Sequence, residues 1–289
     1  MTEISATLVK QLRDRTGQAM MDCKRALGEA HGDVEKAIDI LRKKGLTVLE
    51  KRGGRETKEG RLVGKVASDG RRAVLTALCS ETDFTSKSDE FQRAAELLAQ
   101  ALLAAPQPAA DAVAVGQLTV NGRKIAEVIS EIVSKTGENV TLGEFFRFDL
   151  DGPGVLYAYV HFNGKVGTLV HLTAGADAIA AHPAVRTLAA DLAMQVTATN
   201  PLAVSRAELP AALVARERDI AAEQIKGKPA DMVEKIVAGK LAKWYQQVVL
   251  LEQPFVKDDK QTVQQLLAEA GKQAGGPVGV QRFGRVQIG

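Results

Sequence analysis

The stretches RLVGKVASDGRRAVLTALCS (residues 61–80) and VLYAYVHFNGKVGTLVHLTA (residues 155–174) are the two segments on which the fold depends. Each reads as two strands joined at a turn, Asp69-Gly70 in the first and Asn163-Gly164 in the second. Asp-Gly and Asn-Gly are the preferred two-residue hairpin turns, in which both positions take a positive φ. We therefore expect two β-hairpins, with their turn glycines 94 residues apart (164 − 70).

An amphipathic helix is expected at the same offset after each hairpin. Its apolar positions are Phe91, Ala94 and Leu98 in the first copy, and Val185, Leu188 and Leu192 in the second. Residues 125–136 and 141–149 read as a further helix and strand between the copies. The pattern predicts an α+β protein with a duplicated hairpin-plus-helix core.

Short helices precede this core in residues 1–45. Ser5 and Asp33 are expected to cap the first and third helices, and Thr16-Gly17, His31-Gly32 and Gly45 to end the three in turn. The second helix carries Met20, Cys23 and Leu27 on one stripe. Residues 50–61 hold no apolar side chain, which is typical of a solvated linker or a frayed helix end.

Residues 208–251 are expected to form two long helices broken at Gly227-Lys228-Pro229. The second helix has a coiled-coil-like seam: Val233, Val237, Leu241, Trp244, Val248 and Leu251. The spacing favours an antiparallel hairpin that packs on itself or on the core, and the alternative is an arm for a partner or for dimerisation. A short helix near 262–270 and a last strand, which joins one of the sheets, are expected to complete the chain.

Composition and motifs argue against several function classes. The net charge is only +3 and aromatic residues make up 4% of the 289, so neither a strong basic excess nor a base-stacking platform is present. The segment most similar to a phosphate-binding loop, G-x-x-x-x-G-K-S/T, is residues 60–66. It has one residue too few between its glycines and lacks the final Ser or Thr hydroxyl. Four histidines lack metal-ligand spacing, and Cys23 and Cys79 fit apolar core positions. We expect no enzyme, cofactor, metal or membrane span, and the N-terminus lacks a secretory signal, which favours a cytoplasmic protein.

One connection stands out from this background. Phe84 is the sole large apolar residue in the polar segment 80–88, which Ser88 ends by capping the next helix. Its spacing favours folding back onto the core, and the alternative is an exposed aromatic anchor for a partner.

The N-terminal motif LVKxLRxRTGxxMMDCKxAL (residues 8–27), followed by Gly32-Asp33, resembles bacterial elongation factor Ts. Thr82-Asp83-Phe84 is similar to that family's signature tripeptide, and Gly227-Lys228-Pro229 and residues 253–256 to later landmarks. Thr85 departs from the valine that is common in the family. The chain also stops soon after Arg282-Phe283, so a further C-terminal helix that some members use to bind the GTPase is in doubt.

The resemblance implies a guanine-nucleotide exchange factor for elongation factor Tu. It would bind Tu both when Tu holds GDP and when Tu is free of nucleotide. It implies a ubiquitin-associated-like domain (1–50), a linker (51–60), two core subdomains (61–150, 151–207), a helical hairpin (208–252) and a returning C-terminal segment (253–289). The hairpin would contact the third domain of Tu or a second copy, as a homodimer or 2:2 complex.

The resemblance also assigns partner-binding residues: Thr82, Asp83, Phe84, Val9, Leu12, Met20, Met21 and His161. Of the methionines, Met20 is expected inward and Met21 more exposed. His161 shares a strand face with Tyr157 and Tyr159, so an ordinary sheet-surface histidine is equally open. The rival interpretation is an RNA- or ribosome-associated binding protein, supported by the bases Lys51, Arg52, Arg55 and Lys58 and weakened by the acids between them.

Overall fold

The computed structural model describes residues 4–52, 54–225 and 230–289. It begins with three helices: α1 (Ala6–Thr16), α2 (Met20–Glu29) and α3 (Val34–Arg52). The Ser5 hydroxyl caps α1 by accepting from the Leu8 amide at 3.2 Å, and Asp33 caps α3 through the Lys36 amide at 3.1 Å. Gly17 ends α1 in the left-handed conformation, with φ 67°. The three helices enclose a small core of their own.

The third helix is longer than predicted. It passes through Gly45 and ends at Arg52, inside the segment expected as linker or frayed helix end. Glycine in a helix interior costs only about 1 kcal/mol relative to alanine. A single glycine therefore does not end the helix by itself, and α3, which also packs against α7, a core helix described next, continues past it.

The first copy of the core follows. Its elements are β1 (Glu59–Val66), β2 (Arg72–Ser80), α4 (Asp83–Lys87), α5 (Asp89–Ala104), α6 (Ala112–Gln117), β3 (Thr119–Val120), β4 (Arg123–Lys124), α7 (Ile125–Thr136) and β5 (Val140–Asp149). The antiparallel sheet has the order β1-β2-β5. The helix predicted for residues 125–136 is therefore confirmed, and the strand after it is one residue longer than expected.

The second copy repeats this plan and encloses the helical hairpin. Its elements are β6 (Gly154–Val160), β7 (Val166–Ala174), α8 (Asp177–Ala180), α9 (Pro183–Thr199), α10 (Ala211–Glu223), α11 (Ala230–Val248), β8 (Pro254–Phe255), β9 (Asp258–Thr262), α12 (Val263–Ala274) and β10 (Val278–Gln287). The antiparallel sheet has the order β10-β7-β6. The last strand thus joins a sheet, as predicted, and occupies the place that β5 has in the first copy.

The two sheets pack face to face, with helices on both outer sides. Leu75, Phe148, Leu156 and Leu169 are buried between the sheets. The apolar residues predicted on the two core helices are confirmed as buried; they are Phe91, Ala94, Leu98, Val185, Leu188 and Leu192. Each large side chain buried in this way contributes about 1.5–3 kcal/mol relative to exposure.

The two hairpin turns differ from the prediction. Gly70 and Gly164 have φ 70° and 69°, but Asp69 and Asn163 do not have positive φ. Each loop is longer than two residues, with the glycine amide donating to the carbonyl three residues earlier, so only the glycine must be left-handed. The predicted turn type occurs instead at Asn121-Gly122, with φ 52° and 75°, between β3 and β4.

The helical hairpin packs on itself, as the spacing favoured. Val237 is buried against α10, and Val233 and Leu241 flank it. Trp244 and Val248 pack with Leu209 nearer the core. The predicted break at Gly227-Lys228-Pro229 lies outside the described residues. Within the described ranges, no helix combines the length and apolarity needed to cross a membrane.

Candidate functional site

The segment that joins β2 to α5 contains a single helical turn, α4, where the sequence predicted an irregular connection. Thr82 caps it: its hydroxyl accepts from the Thr85 amide at 3.4 Å. Thr85 and Ser86 point inward and are buried. Because a helical turn points neighbouring residues in different directions, Phe84 is directed outward and its exposure reaches 85%. The expectation that Phe84 folds back onto the core is therefore wrong.

A carboxylate from the end of α7 holds this turn in place. Glu138 accepts the Thr82 amide at 3.0 Å and the Thr82 hydroxyl at 2.6 Å, across 56 residues of sequence. Glu81 in return accepts the Asn139 amide at 2.6 Å. Bonds to a charged acceptor are among the stronger ones in proteins, each worth about 1.5–3 kcal/mol. The base of the exposed turn is thus fixed before any partner arrives.

This reciprocal clamp was missed by the sequence analysis. Glu138 follows Gly137, which ends α7 in the left-handed conformation with φ 70°. That glycine could have indicated a turn, but nothing in the sequence indicates which distant amide the next side chain would reach.

The carboxylate of Asp83 lies beside Phe84 and is paired with Lys87, at 2.7 Å from its ammonium. The hydrogen bond from Lys87 lowers the pKa of Asp83 below its ordinary value, and the same bond raises the pKa of Lys87. Asp83 is therefore charged at neutral pH, and the turn presents an aromatic ring next to a carboxylate.

The predicted N-terminal contact residues divide into two groups. Val9 and Leu12 are buried in the three-helix core, where a partner does not reach their side chains. Met20 and Met21 are 44% and 65% exposed. The expectation that Met20 points inward is wrong, because it opens α2, where the neighbouring helices leave its side chain uncovered. Of the four predicted N-terminal contact residues, only Met20 and Met21 present an apolar surface.

His161 follows the last residue of β6 and contacts two aromatic neighbours. Its Nδ1 lies 2.9 Å from the Tyr159 hydroxyl, which supports the prediction of a shared face. Its ring centroid is 4.3 Å from that of Phe162, whose side chain is 91% exposed. The sequence analysis did not single out Phe162, because the alternation of the strand continues through it and suggests an ordinary strand residue. The one signal of its exposure is its position next to the Asn163-Gly164 turn.

Hydrogen bonds join the elements that carry these exposed residues. The Ser134 hydroxyl, in the last turn of α7, donates to Gln18 at 3.0 Å and so joins the three-helix unit to the helix that precedes Glu138. The Leu62 amide of β1 donates to the Gly164 carbonyl at 2.8 Å, which ties the second hairpin to the strand that α4 packs on.

Among the residues described, no group of three His, Cys, Asp or Glu side chains could hold a metal ion. Cys23 and Cys79 are buried, as predicted, and burial raises the pKa of the Cys79 thiol to about 11. Its thiolate is therefore scarce at neutral pH, which disfavours a nucleophilic role.

The chain is thus a duplicated α+β core, preceded by three helices, with an exposed aromatic turn on its first copy. A family model described as Elongation factor TS matches residues 81–289. The chain is 40% identical over 291 residues to elongation factor Ts of Desulfovibrio desulfuricans, covering 100% of this chain and 99% of that protein. It is 39% identical over 293 residues to elongation factor Ts of Prosthecochloris aestuarii, covering 100% of both. The chain therefore belongs to the elongation factor Ts family, whose members act in translation elongation.

Proposed function

We propose that this protein is a guanine-nucleotide exchange factor that promotes release of GDP from elongation factor Tu in the cytoplasm. It accelerates dissociation and catalyses no covalent reaction. The observation that carries the proposal is Phe84, an 85% exposed phenylalanine on a turn that Glu138 holds at its base.

In this mechanism the Asp83-Phe84 turn enters the GTPase domain of Tu near its magnesium site. Phe84 acts as a wedge between helices, and the charged Asp83 perturbs the polar network around the metal. Because the turn is ordered in the free protein, little conformational entropy is lost when it inserts. Magnesium and phosphate contacts then weaken, and GDP leaves.

The energetics require more than one contact. If this protein weakens GDP binding to Tu, GDP must weaken binding of this protein by the same factor. A 10⁴-fold effect needs about 5.5 kcal/mol of differential binding. One phenylalanine contributes on the order of 2–4 kcal/mol at an interface. We therefore assign supporting contacts to Met20, Met21 and His161, while the buried Val9 and Leu12 position the N-terminal helices.

The helical hairpin is a further candidate for contact. Ile220 and Met232 on its two helices are 40% and 49% exposed. These side chains are available for the third domain of Tu or for a second copy of this chain, in a homodimer or a 2:2 complex.

The RNA-binding alternative gains no support from the basic linker. Arg55 pairs with Glu81 at 3.3 Å and Lys58 with Glu56 at 2.6 Å. The side chains of Lys51 and Arg52 lie outside those described. These exposed ion pairs are weak, but their carboxylates lower the positive potential that would attract phosphates.

The test is release of a fluorescent GDP analogue from elongation factor Tu, followed by stopped flow with and without this protein. We expect strong acceleration that saturates with protein concentration. Release at the spontaneous rate would contradict the proposal. RNA affinity with a steep salt dependence would then favour the alternative.

A further inference from the structure

Phe162 lies at the tip of the hairpin formed by β6 and β7 and contributes little to the fold. Its side chain is 91% exposed, more than any other large apolar residue among those described. The strand β6 has already ended at Val160, and the turn is closed by the Gly164 amide on the His161 carbonyl at 2.8 Å. A phenylalanine left in water forgoes the roughly 1.5–3 kcal/mol that its burial would contribute. The side chain is therefore available to a partner.

The tip is ordered in the free protein. The His161 amide donates to the Val166 carbonyl at 2.9 Å, and Asn163 accepts the Lys165 amide at 3.0 Å. The Tyr159 hydroxyl fixes the His161 ring, on which Phe162 packs. An aromatic side chain on such a support loses little freedom when it binds, which is the property of an interface anchor.

The tip is also joined to the surface that carries Phe84. Lys165 pairs with Glu59 of β1 at 2.6 Å. The hydrogen bond to Asp83 is the main cause of the raised pKa of Lys87 on α4, and the charge of the same Glu59 carboxylate adds to it, so Glu59 acts on both segments. Since α4 packs on β1 and the tip is hydrogen-bonded to the same strand, the segments that carry Phe84 and Phe162 are both anchored on β1.

The other copy of the unit lacks both aromatics at the equivalent place. The residue 94 positions before Phe162 is Ser68, and the residue 94 positions after Phe84 is Ala178. There the first hairpin tip and α8 line an open cleft of about 500 Å³. The duplicated fold thus does not need a phenylalanine at either position.

We propose that Phe162, backed by His161, is a second aromatic contact for the partner of Phe84, elongation factor Tu. This inference rests on the proposed function. Phe162 belongs to the second half of the core and reaches a part of the partner away from the wedge. It therefore governs how tightly Tu is held, whereas Phe84 governs how far the nucleotide site opens.

The test measures release of the GDP analogue against concentration of the full-length protein, for the wild type and three variants. With Phe162→Ala we expect the half-saturating concentration to rise about tenfold, and the maximal rate to change much less. Phe162→Leu retains an apolar side chain and should restore most of the affinity. The matched control is Val113→Ala, which truncates a 74% exposed side chain on α6 and should match the wild type.

The outcomes separate this inference from the proposed function. If the wild type does not accelerate release, both fail. If the wild type accelerates release and Phe162→Ala has the same half-saturating concentration, the inference alone is overturned. Sedimentation equilibrium adds a further outcome: a dimer that Phe162→Ala dissociates, with Tu affinity unchanged, would assign the tip to a second copy and overturn the inference.

Discussion

The two copies of the core unit share a backbone plan. They differ in a few side chains of the link, the segment between each hairpin and its long helix, which contains α4 in the first copy and α8 in the second. Asp83 and Asp177 each open the short helix after the hairpin, and Ser88 and His182 cap the long helix that follows. Each of these pairs is 94 residues apart, like the turn glycines. The first link has a phenylalanine at 84 where the second has Ala178. The difference teaches that packing does not require a large side chain at this position, so the ring of Phe84 remains free for the contact proposed above.

Support of the links differs in the same way. The first link has a Thr82 hydroxyl cap and the Glu138 clamp, whereas Ala176 caps the second link without a side-chain hydrogen bond. A rigid base matters only where the exposed residue must hold its geometry against a partner. The following predictions exchange or remove features between the copies, from the largest expected effect on exchange to the smallest.

Phe84→Ala should have the largest effect. Losing an aromatic anchor costs about 2–4 kcal/mol, which corresponds to a roughly 30- to 900-fold fall in exchange efficiency. Stopped-flow release of the GDP analogue from Tu checks it. The matched control places a phenylalanine at the equivalent position of the other copy. Ala178 is exposed, and the Ala178→Phe protein should release the GDP analogue from Tu as fast as the wild type does. Equal release rates with the two variants would contradict a functional difference between the copies.

Glu138→Ala should have an intermediate effect. It leaves the Thr82 amide and hydroxyl without their acceptor, so the first link keeps its Thr82 cap but loses its bonds to the end of α7. Two hydrogen bonds to a charged acceptor are lost, each worth on the order of 1.5–3 kcal/mol to the fold. We expect exchange efficiency to fall about tenfold, because a shift of about 1.4 kcal/mol in the placement of the turn is enough for that change.

A double-mutant cycle with Phe84→Ala separates positioning from stability. If Glu138 acts through the turn, Glu138→Ala should have little further effect in the Phe84→Ala background. An undiminished tenfold loss in that background would show that Glu138 acts elsewhere.

His171→Ala should leave exchange unchanged and alter only the pH dependence of stability. His171 is buried between the sheets, where the first copy has Ala77. Burial, followed by the charge of Arg282, lowers the pKa of His171, and Asp151 opposes this weakly. The folded state thus favours the neutral ring, so stability is full above the unfolded pKa of about 6.5 and falls as pH decreases below it.

Urea unfolding from pH 7.5 to 5 checks this prediction. The wild type should lose stability relative to His171→Ala as pH falls, by at most about 1.4 kcal/mol per pH unit, the limit for one proton. Parallel pH profiles of the two proteins would contradict it.

Local patterns predicted the frame of this molecule well. The hairpins, the buried stripe of Phe91 and Leu98, and the caps Ser5 and Ser88 depend on neighbours within a few residues, so the sequence displays them. The helix end predicted at Gly45 was wrong, because one glycine costs a helix only about 1 kcal/mol and does not end it by itself.

The site was less predictable because it depends on more than local patterns. The tripeptide at residues 82–84 was noticed, but whether Phe84 points in or out depends on a single helical turn capped by Thr82. Glu138 contacts that turn from 56 residues away. Phe162 continues the alternation of its strand, so its exposure follows from the strand ending at Val160, which the pattern does not indicate.

The most direct test of the account compares the two ends of the core in one experiment. Amide hydrogen exchange of the full chain, alone and bound to nucleotide-free elongation factor Tu, reads residues 82–87 and 161–165 against residues 67–71 and 176–181. We predict that Tu protects the first pair of segments, which carries Phe84 and Phe162, and leaves the equivalent pair around the open cleft unchanged. Protection of the second pair, or of neither, would contradict the account.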